Sequence, residues 1–335
     1  MKYENRQDGK ITRREFIAGS AAAAAAAVGI GASGLRAGDS RFHPIPTSPL
    51  PTREFGKTGA RIPILTFGCG SRWQMYDSDD EALAVLQSAI DGGVRYLDTA
   101  HNYGGGHSEE KLGMIVPGIR KQVLIQTKIA TRDPNQWWKD LELSLKRMKI
   151  DYLDMCLIHS LEHDDDLEAL EVKGGAIEQL YKAKEQGLTR WIGVSSHTNS
   201  TTMAKFLRRH KVDAIQMALN VSTNGPQDMG FEENALPVAV EQGIGITAMK
   251  VMGQDLIVGK YDKYDAATCL RYSLSLPVTA ATVGMPKPEH LEKNLAVVRD
   301  FKPFSPEEMA RIKSEAAVEV KNAFVEGMAG HSDFA

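Results

Sequence analysis

Four side chains have the types needed to move a proton to or from a reacting oxygen: Asp98, Tyr103, Lys128 and His159. A free phenol ionises near pH ~10 and a free ammonium near ~10.4, so neither alone gives up a proton readily at neutral pH. A lysine cation beside a phenol favours the phenolate and makes the hydroxyl a better acid, and a carboxylate pins the ammonium. An imidazole hydrogen-bonds a substrate oxygen and orients it. Such a set suits protonation of a carbonyl oxygen as hydride arrives at its carbon, or the reverse. Taken singly, each residue has a plainer explanation. An aspartate after an apolar run caps a turn, and a lysine closing one is solvated. A histidine after Met155-Cys156-Leu157-Ile158 is a core residue. Their order makes them a set: Asp98 follows 95–97, Tyr103 lies in the loop beyond, Lys128 follows 123–127, and His159 follows 153–158.

Those four positions call for an architecture that delivers successive strand ends to one mouth. From residue 52 onward, short apolar runs alternate with amphipathic stretches. The runs fall at 62–68, 95–97, 123–127, 153–158, 191–194, 214–218, 244–248 and 278–283. Helix-like stretches lie near 79–91, 108–115, 135–148, 175–186, 199–209, 232–242, 265–275 and 288–299. Strands buried on both faces read as continuous apolar runs, as these do. Eight strand–helix units in about 250 residues predict a (β/α)8 TIM barrel, in which catalytic groups sit at the C-terminal strand ends. A further helix is expected near 305–320. A doubly wound sheet is the runner-up, but it wants a Gly-rich turn opening a helix after its first strand. Here Gly68-Cys69-Gly70 runs into Ser71-Arg72-Trp73.

The 335 residues are 42% hydrophobic and 25% charged, with a net charge of −3. These values exclude a chain disordered throughout, a collagen and a polytopic membrane protein, and leave no basic field for nucleic acid. Cys69, Cys156 and Cys269 are scattered and odd in number, unsuited to a disulfide framework or a cysteine-only metal site. The acidic run after His163, Asp164 to Asp166, reads as a solvated loop or a helix cap, and no second ligand cluster supports a metal. Residues 1–37 read as a leader: a basic region, the pair Arg13-Arg14, then the uncharged run 17–35 of mostly alanine and glycine. That layout predicts a twin-arginine signal peptide, recognition by the twin-arginine export machinery and an extracytoplasmic, periplasmic destination. Removing 1–37 takes away six basic and three acidic side chains and leaves a net charge of −6. Residues 38–51, with Pro44, Pro46, Pro49 and Pro51, read as a linker, and 52–335 as the barrel domain.

Several motifs together resemble the aldo-keto reductase superfamily. They are Leu97-Asp98-Thr99-Ala100-His101-Asn102-Tyr103-Gly104, Ser108-Glu109-Glu110-Lys111-Leu112-Gly113, Gln126-Thr127-Lys128, Leu157-Ile158-His159 and Ile192-Gly193-Val194-Ser195-Ser196. Val283-Gly284-Met285 and the stretch from Pro288 to Asn294 complete the series, so the resemblance runs from about 52 to 300. It implies a nicotinamide-dependent oxidoreductase interconverting an aldehyde or ketone and an alcohol, with Tyr103 as general acid and Asp98, Lys128 and His159 around it. It implies that 52–61 is a β-hairpin plugging the barrel bottom. It assigns Ser195, Ser196 and Gln216 to the nicotinamide carboxamide, the backbone at Gly284 and Met285 to the adenosine phosphate, and Asn294 to the adenine side.

Three features depart from the family pattern. Met249, in Ala248-Met249-Lys250, stands where many members place a tyrosine against the nicotinamide ring. This variant resembles a subgroup whose relatives often carry an iron–sulfur tail, and the chain lacks the cysteines for such a cluster. Lys250 is placed either to reach the cofactor pyrophosphate or to be solvated. At the 2′-phosphate, His290 stands where arginine is common and Met285 where a hydroxyl is common, which weakens that site; Lys287 either compensates or is a surface lysine, and NADP stays favoured over NAD. The loop after Tyr103 is lengthened by Gly104-Gly105-Gly106. Trp73 is expected to line the substrate pocket, and His101 either to join it or to cap the Tyr103 loop. An alternative reading is an exported cofactor-binding sensor or partner subunit without efficient turnover. A metal-dependent isomerase or hydrolase would need more strand-end ligands than Asp98 and His159.

Overall fold

The computed structural model describes residues 41–224 and 229–328. The leader expected over 1–37 lies outside them. Two short antiparallel strands, β1 (Thr52–Glu54) and β2 (Arg61–Pro63), pair as a hairpin with Arg53 opposite Ile62. Eight parallel strands follow: β3 (Leu65–Gly68), β4 (Tyr96–Asp98), β5 (Leu124–Ile129), β6 (Leu153–Ile158), β7 (Thr189–Ser196), β8 (Ala214–Ala218), β9 (Gly245–Met249) and β10 (Ala280–Gly284). They close in chain order into one barrel, β3 pairing with both β4 and β10. Outside run α1 (Asp79–Asp91), α2 (His107–Ile119), α3 (Pro134–Met148), α4 (Asp164–Glu171), α5 (Ala176–Glu185), α6 (Ser200–Arg209), α7 (Ala235–Gln242), α8 (Ala266–Ser275), α9 (Pro288–Arg299), α10 (Pro306–Glu319) and α11 (Lys321–Met328). The expected (β/α)8 barrel, its amino-terminal hairpin and the helix near 305–320 are all present.

Five of the described helices begin where side chains satisfy free amides. Ser78 accepts from the Glu81 amide, Asn199 from Thr202, and Asp265 from Thr268. Asp133 takes the amides of Asn135 and Gln136, with Pro134 in the first turn. Ser305 and Glu308 cap each other reciprocally.

Along the strands, side chains alternate between the barrel interior and the helical layer. In β5, Ile125 and Ile129 join the large apolar shell under the helices, whereas Leu124 belongs to a small inner cluster. Phe55, Ile62, Tyr96, Met155 and Trp191 complete that cluster around the strand starts, and the hairpin drives Phe55 and Ile62 into it. The amino-terminal end of the barrel is therefore plugged, and only the carboxyl end can open.

The structure departs from the expected elements at four places. The run 62–68 is two strands, because Pro63 has no amide for a continuing ladder and the chain turns from hairpin to barrel at Ile64. The acidic run opens α4, where Asp164, Asp165 and Asp166 occupy the first turn and complement the positive helix end. The chain also continues past α10 into α11. The described part of the proline-rich stretch, 41–51, lies against the barrel rather than hanging free. Ser48 donates to the Gly93 carbonyl at 2.6 Å, the His43 amide to the Tyr152 hydroxyl at 2.8 Å, and Leu50 is buried.

Candidate active site

The inner faces of the strands change character from bottom to top. In β5 the interior side chains run Leu124, Gln126, Lys128, and in β4 Tyr96, Asp98. At the top, the Lys128 ammonium lies 2.7 Å from Asp98 Oδ1 and donates to the Thr99 carbonyl at 2.8 Å and to the Tyr103 hydroxyl at 3.2 Å. Lys128 is fully buried and Asp98 is 4% exposed. A buried charge is tolerated only when paired and hydrogen-bonded, and each partner meets that condition. The Asp98 carboxylate also accepts from Gln126 Nε2 and, at 3.1 Å, from Gln216 Nε2. Gln126 is held in turn by Tyr96, whose hydroxyl donates to Oε1 at 2.5 Å. Burial, reinforced by Asp98 and Asp154, pushes the Tyr96 phenol well up, so this hydroxyl stays a donor.

Tyr103 opens a short turn, Tyr103–Gly106, and its half-buried ring meets His159 edge to face at 5.6 Å. His159 follows β6 directly. Arg132 fastens that strand end, donating to the carbonyls of Ala130 at 2.7 Å, His159 at 2.9 Å and Ser160 at 2.9 Å. Asp166, in the first turn of α4, holds the guanidinium at 2.6 and 2.7 Å. The acidic run thus helps to seat the imidazole.

Above these groups is a cavity of about 410 Å³, lined by Asp98, Tyr103, His197, Met249, Lys250, Gly284, His290 and Asn294, among others. It therefore brings together two of the four proton-moving groups and five of the residues expected at a cofactor. Lys128 and His159 lie behind its wall and meet Tyr103 directly.

The remaining expected residues lie elsewhere. Gln216 sits below the cavity, its amide nitrogen committed to Asp98 and, at 3.1 Å, to Thr282. Ser195 is buried against β6, where it accepts from the Ser160 amide at 3.1 Å. The Ser196 hydroxyl serves the turn at Asn199. The Met285 side chain is in the core, while its backbone continues from Gly284 of the cavity lining, and Lys287 is exposed at the amino end of α9, outside that lining. Trp73 is not a pocket residue: it is fully buried, packs on Phe67 and donates to the Ala82 carbonyl at 3.0 Å. A short turn, Trp73–Met75, folds its indole inward. His101 also turns away from the cavity, hydrogen-bonded to Ser144 at 3.0 Å and 3.5 Å from Asp140, both on α3.

Other lining residues were not singled out in the sequence. His197, just beyond β7, and Asn102, beside Tyr103, carry the same strand-end signal as the four. Arg72, Asp255 and Lys293 carried none, because long loops and helix rotation bring them in. Arg72 pairs with Asp255 at 2.7 Å, joining the loop after β3 to the loop after β9 beside the cavity. Among the described residues, no group of three or more His, Cys, Asp or Glu side chains could hold a metal ion.

A model described as the Aldo/keto reductase family matches residues 65–268. The L-glyceraldehyde 3-phosphate reductase of Escherichia coli K12 is 26% identical over 232 residues, covering 62% of this chain and 63% of that protein. A Schizosaccharomyces pombe aldo-keto reductase whose name carries NADP(+) is 28% identical over 235 residues, covering 64% and 65%. The matched stretches thus span less than two thirds of these two relatives. An aldo-keto reductase of Klebsiella pneumoniae solved with NADPH shares the fold, with a TM-score of 0.65 at 22% identity, covering 81% of this chain and 97% of that one.

Proposed function

The chain belongs to the aldo/keto reductase family, and from that premise we propose that it is a nicotinamide-dependent oxidoreductase interconverting a small aldehyde or ketone and the corresponding alcohol. One observation carries the proposal: Asp98, Lys128 and the Tyr103 hydroxyl form a contiguous relay, 2.7 and 3.2 Å long, at an open cavity.

The side chains lining that cavity fit a dinucleotide. Lys250, Lys293, His290 and Arg72 offer positive or protonatable groups to phosphates, Asn294 offers an amide to the adenine side, and Met249 offers an apolar face to a ring. When bound, the nicotinamide would supply or accept hydride at the carbonyl carbon. In the reductive direction Tyr103 donates its hydroxyl proton to the substrate oxygen. Lys128 stabilises the phenolate that remains, and Asp98 keeps the ammonium in place. His159, fastened from behind by Arg132, packs edge to face on the Tyr103 ring and so sets the direction in which the phenol meets the substrate oxygen. In oxidation the phenolate takes the proton back. We favour NADP over NAD, because the cavity lining offers the Lys293 ammonium and the His290 imidazole to a further phosphate.

Titration with NADPH and NADH, followed by nucleotide and tryptophan fluorescence, tests the reading and ranks the cofactors. Micromolar or tighter binding followed by carbonyl turnover supports it. Binding without turnover of any carbonyl favours the sensor alternative, and no binding of either nucleotide rejects the cofactor assignment.

We also propose export through the twin-arginine pathway, on the strength of Arg13-Arg14 and the uncharged run behind it. The route carries folded proteins, so a nucleotide bound before export would travel with the chain. Fractionation of cells expressing the natural chain and a double Arg13→Lys, Arg14→Lys variant tests this. The natural chain is expected in the periplasm and the variant in the cytoplasm.

A further inference from the structure

The loop that carries Tyr103 has little stiffness of its own. Gly104, Gly105 and Gly106 follow one another with φ of 60°, 64° and 103°, in the left-handed region that glycine adopts at least cost. Glycine also loses the most freedom on ordering, so something outside the loop must hold it. Arg147, in the last turn of α3, does so. Its Nη1 donates to the His101 carbonyl at 2.9 Å, and its Nη2 to the Gly105 carbonyl at 3.4 Å. The two acceptors flank Tyr103 on either side.

The guanidinium is itself fixed. Glu109 on α2 is fully buried and takes it at 3.2 Å, while the other carboxylate oxygen accepts from Thr127 of β5 at 2.6 Å. His101 Nδ1 lies 3.4 Å from the same Nη1. A side chain on Gly106 would collide with the guanidinium, and one on Gly113 would collide with the Arg147 carbonyl. The two helices therefore cross closely enough for the arginine to reach the loop. Lys128 is the next residue after Thr127 on β5. One strand thus supplies the cation for the phenol and, through Glu109, the anchor for the loop that presents it.

We propose that Arg147 is a positioning residue for Tyr103: from behind the pocket it clamps the loop 101–106 by two carbonyls, with Glu109 as its anchor, so that the phenol stays within reach of Lys128. The proposal rests on Tyr103 being the proton donor. The two-pronged donor geometry matters as well as the charge, because a point cation can satisfy Glu109 without spanning both carbonyls.

Arg147→Lys keeps a cation beside Glu109 and gives up the fork. It is expected to lower kcat about tenfold, and Arg147→Ala about a hundredfold, since a misplacement near 1 Å costs that order. KM and nucleotide affinity should stay within about threefold, because the clamp touches neither ligand. Millimolar guanidinium chloride should restore part of kcat to Arg147→Ala, which lost packing alone would not allow. Hydrogen exchange across 101–106 should quicken in Arg147→Lys while the melting temperature holds. Arg147→Lys with natural kcat and natural exchange in the loop overturns the proposal. If the natural enzyme turns over no carbonyl, the reductase reading falls, and the exchange contrast still decides the clamp.

Discussion

Two buried carboxylates at opposite ends of the barrel make an instructive pair. Asp98, at the top of β4, is 4% exposed, and Asp154, near the start of β6, is 2% exposed. Each has a cation close by, Lys128 at 2.7 Å and Arg120 at 2.8 Å. Asp154 also accepts the Ile125 amide at 3.0 Å and has Arg190 at 3.7 Å. Burial pushes its carboxyl up, and Arg120 pulls it back. Both of its main partners are arginines, which do not release protons, and aromatic rings lie over them, Phe42 at 5.0 Å from Arg190 and Tyr152 at 4.2 Å from Arg120. Asp98 instead holds a lysine whose ammonium reaches a phenol at an open cavity. Burial and an ion pair therefore do not distinguish a reactive site from a structural one. Access and a partner with a movable proton do.

The largest effect should come from the top. Tyr103→Phe is expected to lose about 10²- to 10⁴-fold in turnover while keeping nucleotide affinity and melting temperature. Steady-state kinetics beside a binding titration check it, and undiminished turnover would assign the proton to another group. The bottom should respond in stability alone. Asp154→Ala strands a buried guanidinium and is expected to cost about 3–5 kcal/mol in urea unfolding, with kcat/KM of the folded enzyme unchanged. Phe55→Ala, which empties the plug, should cost about as much by leaving a cavity, again with natural kinetics. A changed kcat/KM in either variant would mean that the two ends communicate. The smallest effect is expected at the Arg72–Asp255 pair, because Asp255 is exposed. Exposed pairs contribute up to about 1 kcal/mol, so Asp255→Ala, which breaks the pair and leaves Arg72 in place, should speed nucleotide release by no more than about fivefold in stopped flow. A larger change would make that pair the main latch over the cavity.

The barrel was legible because its strands are buried on both faces, so each is a continuous apolar run with a helix of period 3.6 behind it. Predicted and observed bounds agree to within about three residues for most elements. The exceptions have local causes. Pro63 splits one run into two strands, and α4 begins in aspartates, which by composition fit both a solvated loop and a helix cap. At the site, the strand-end positions of Asp98, Lys128 and His159 followed from the same runs. Trp73 was misplaced, and His101 was left between two readings, because a residue's place in a loop does not fix the direction of its side chain. One turn sends the indole into the core, and Ser144 and Asp140 draw the imidazole toward α3.

The sequence by itself determined the eight strand–helix units and the order of the residues expected to move a proton, since these depend on periodicity and on neighbours along the chain; the plugged end was implied by the family resemblance alone. Only the tertiary structure decided that Gln216 braces Asp98, that Arg132 and Asp166 seat His159, and that Arg147 holds the Tyr103 loop. Each of those contacts joins elements far apart in sequence through one or two directed hydrogen bonds. A directed bond depends on distances of a few tenths of an ångström and leaves no periodic trace in the order of residues.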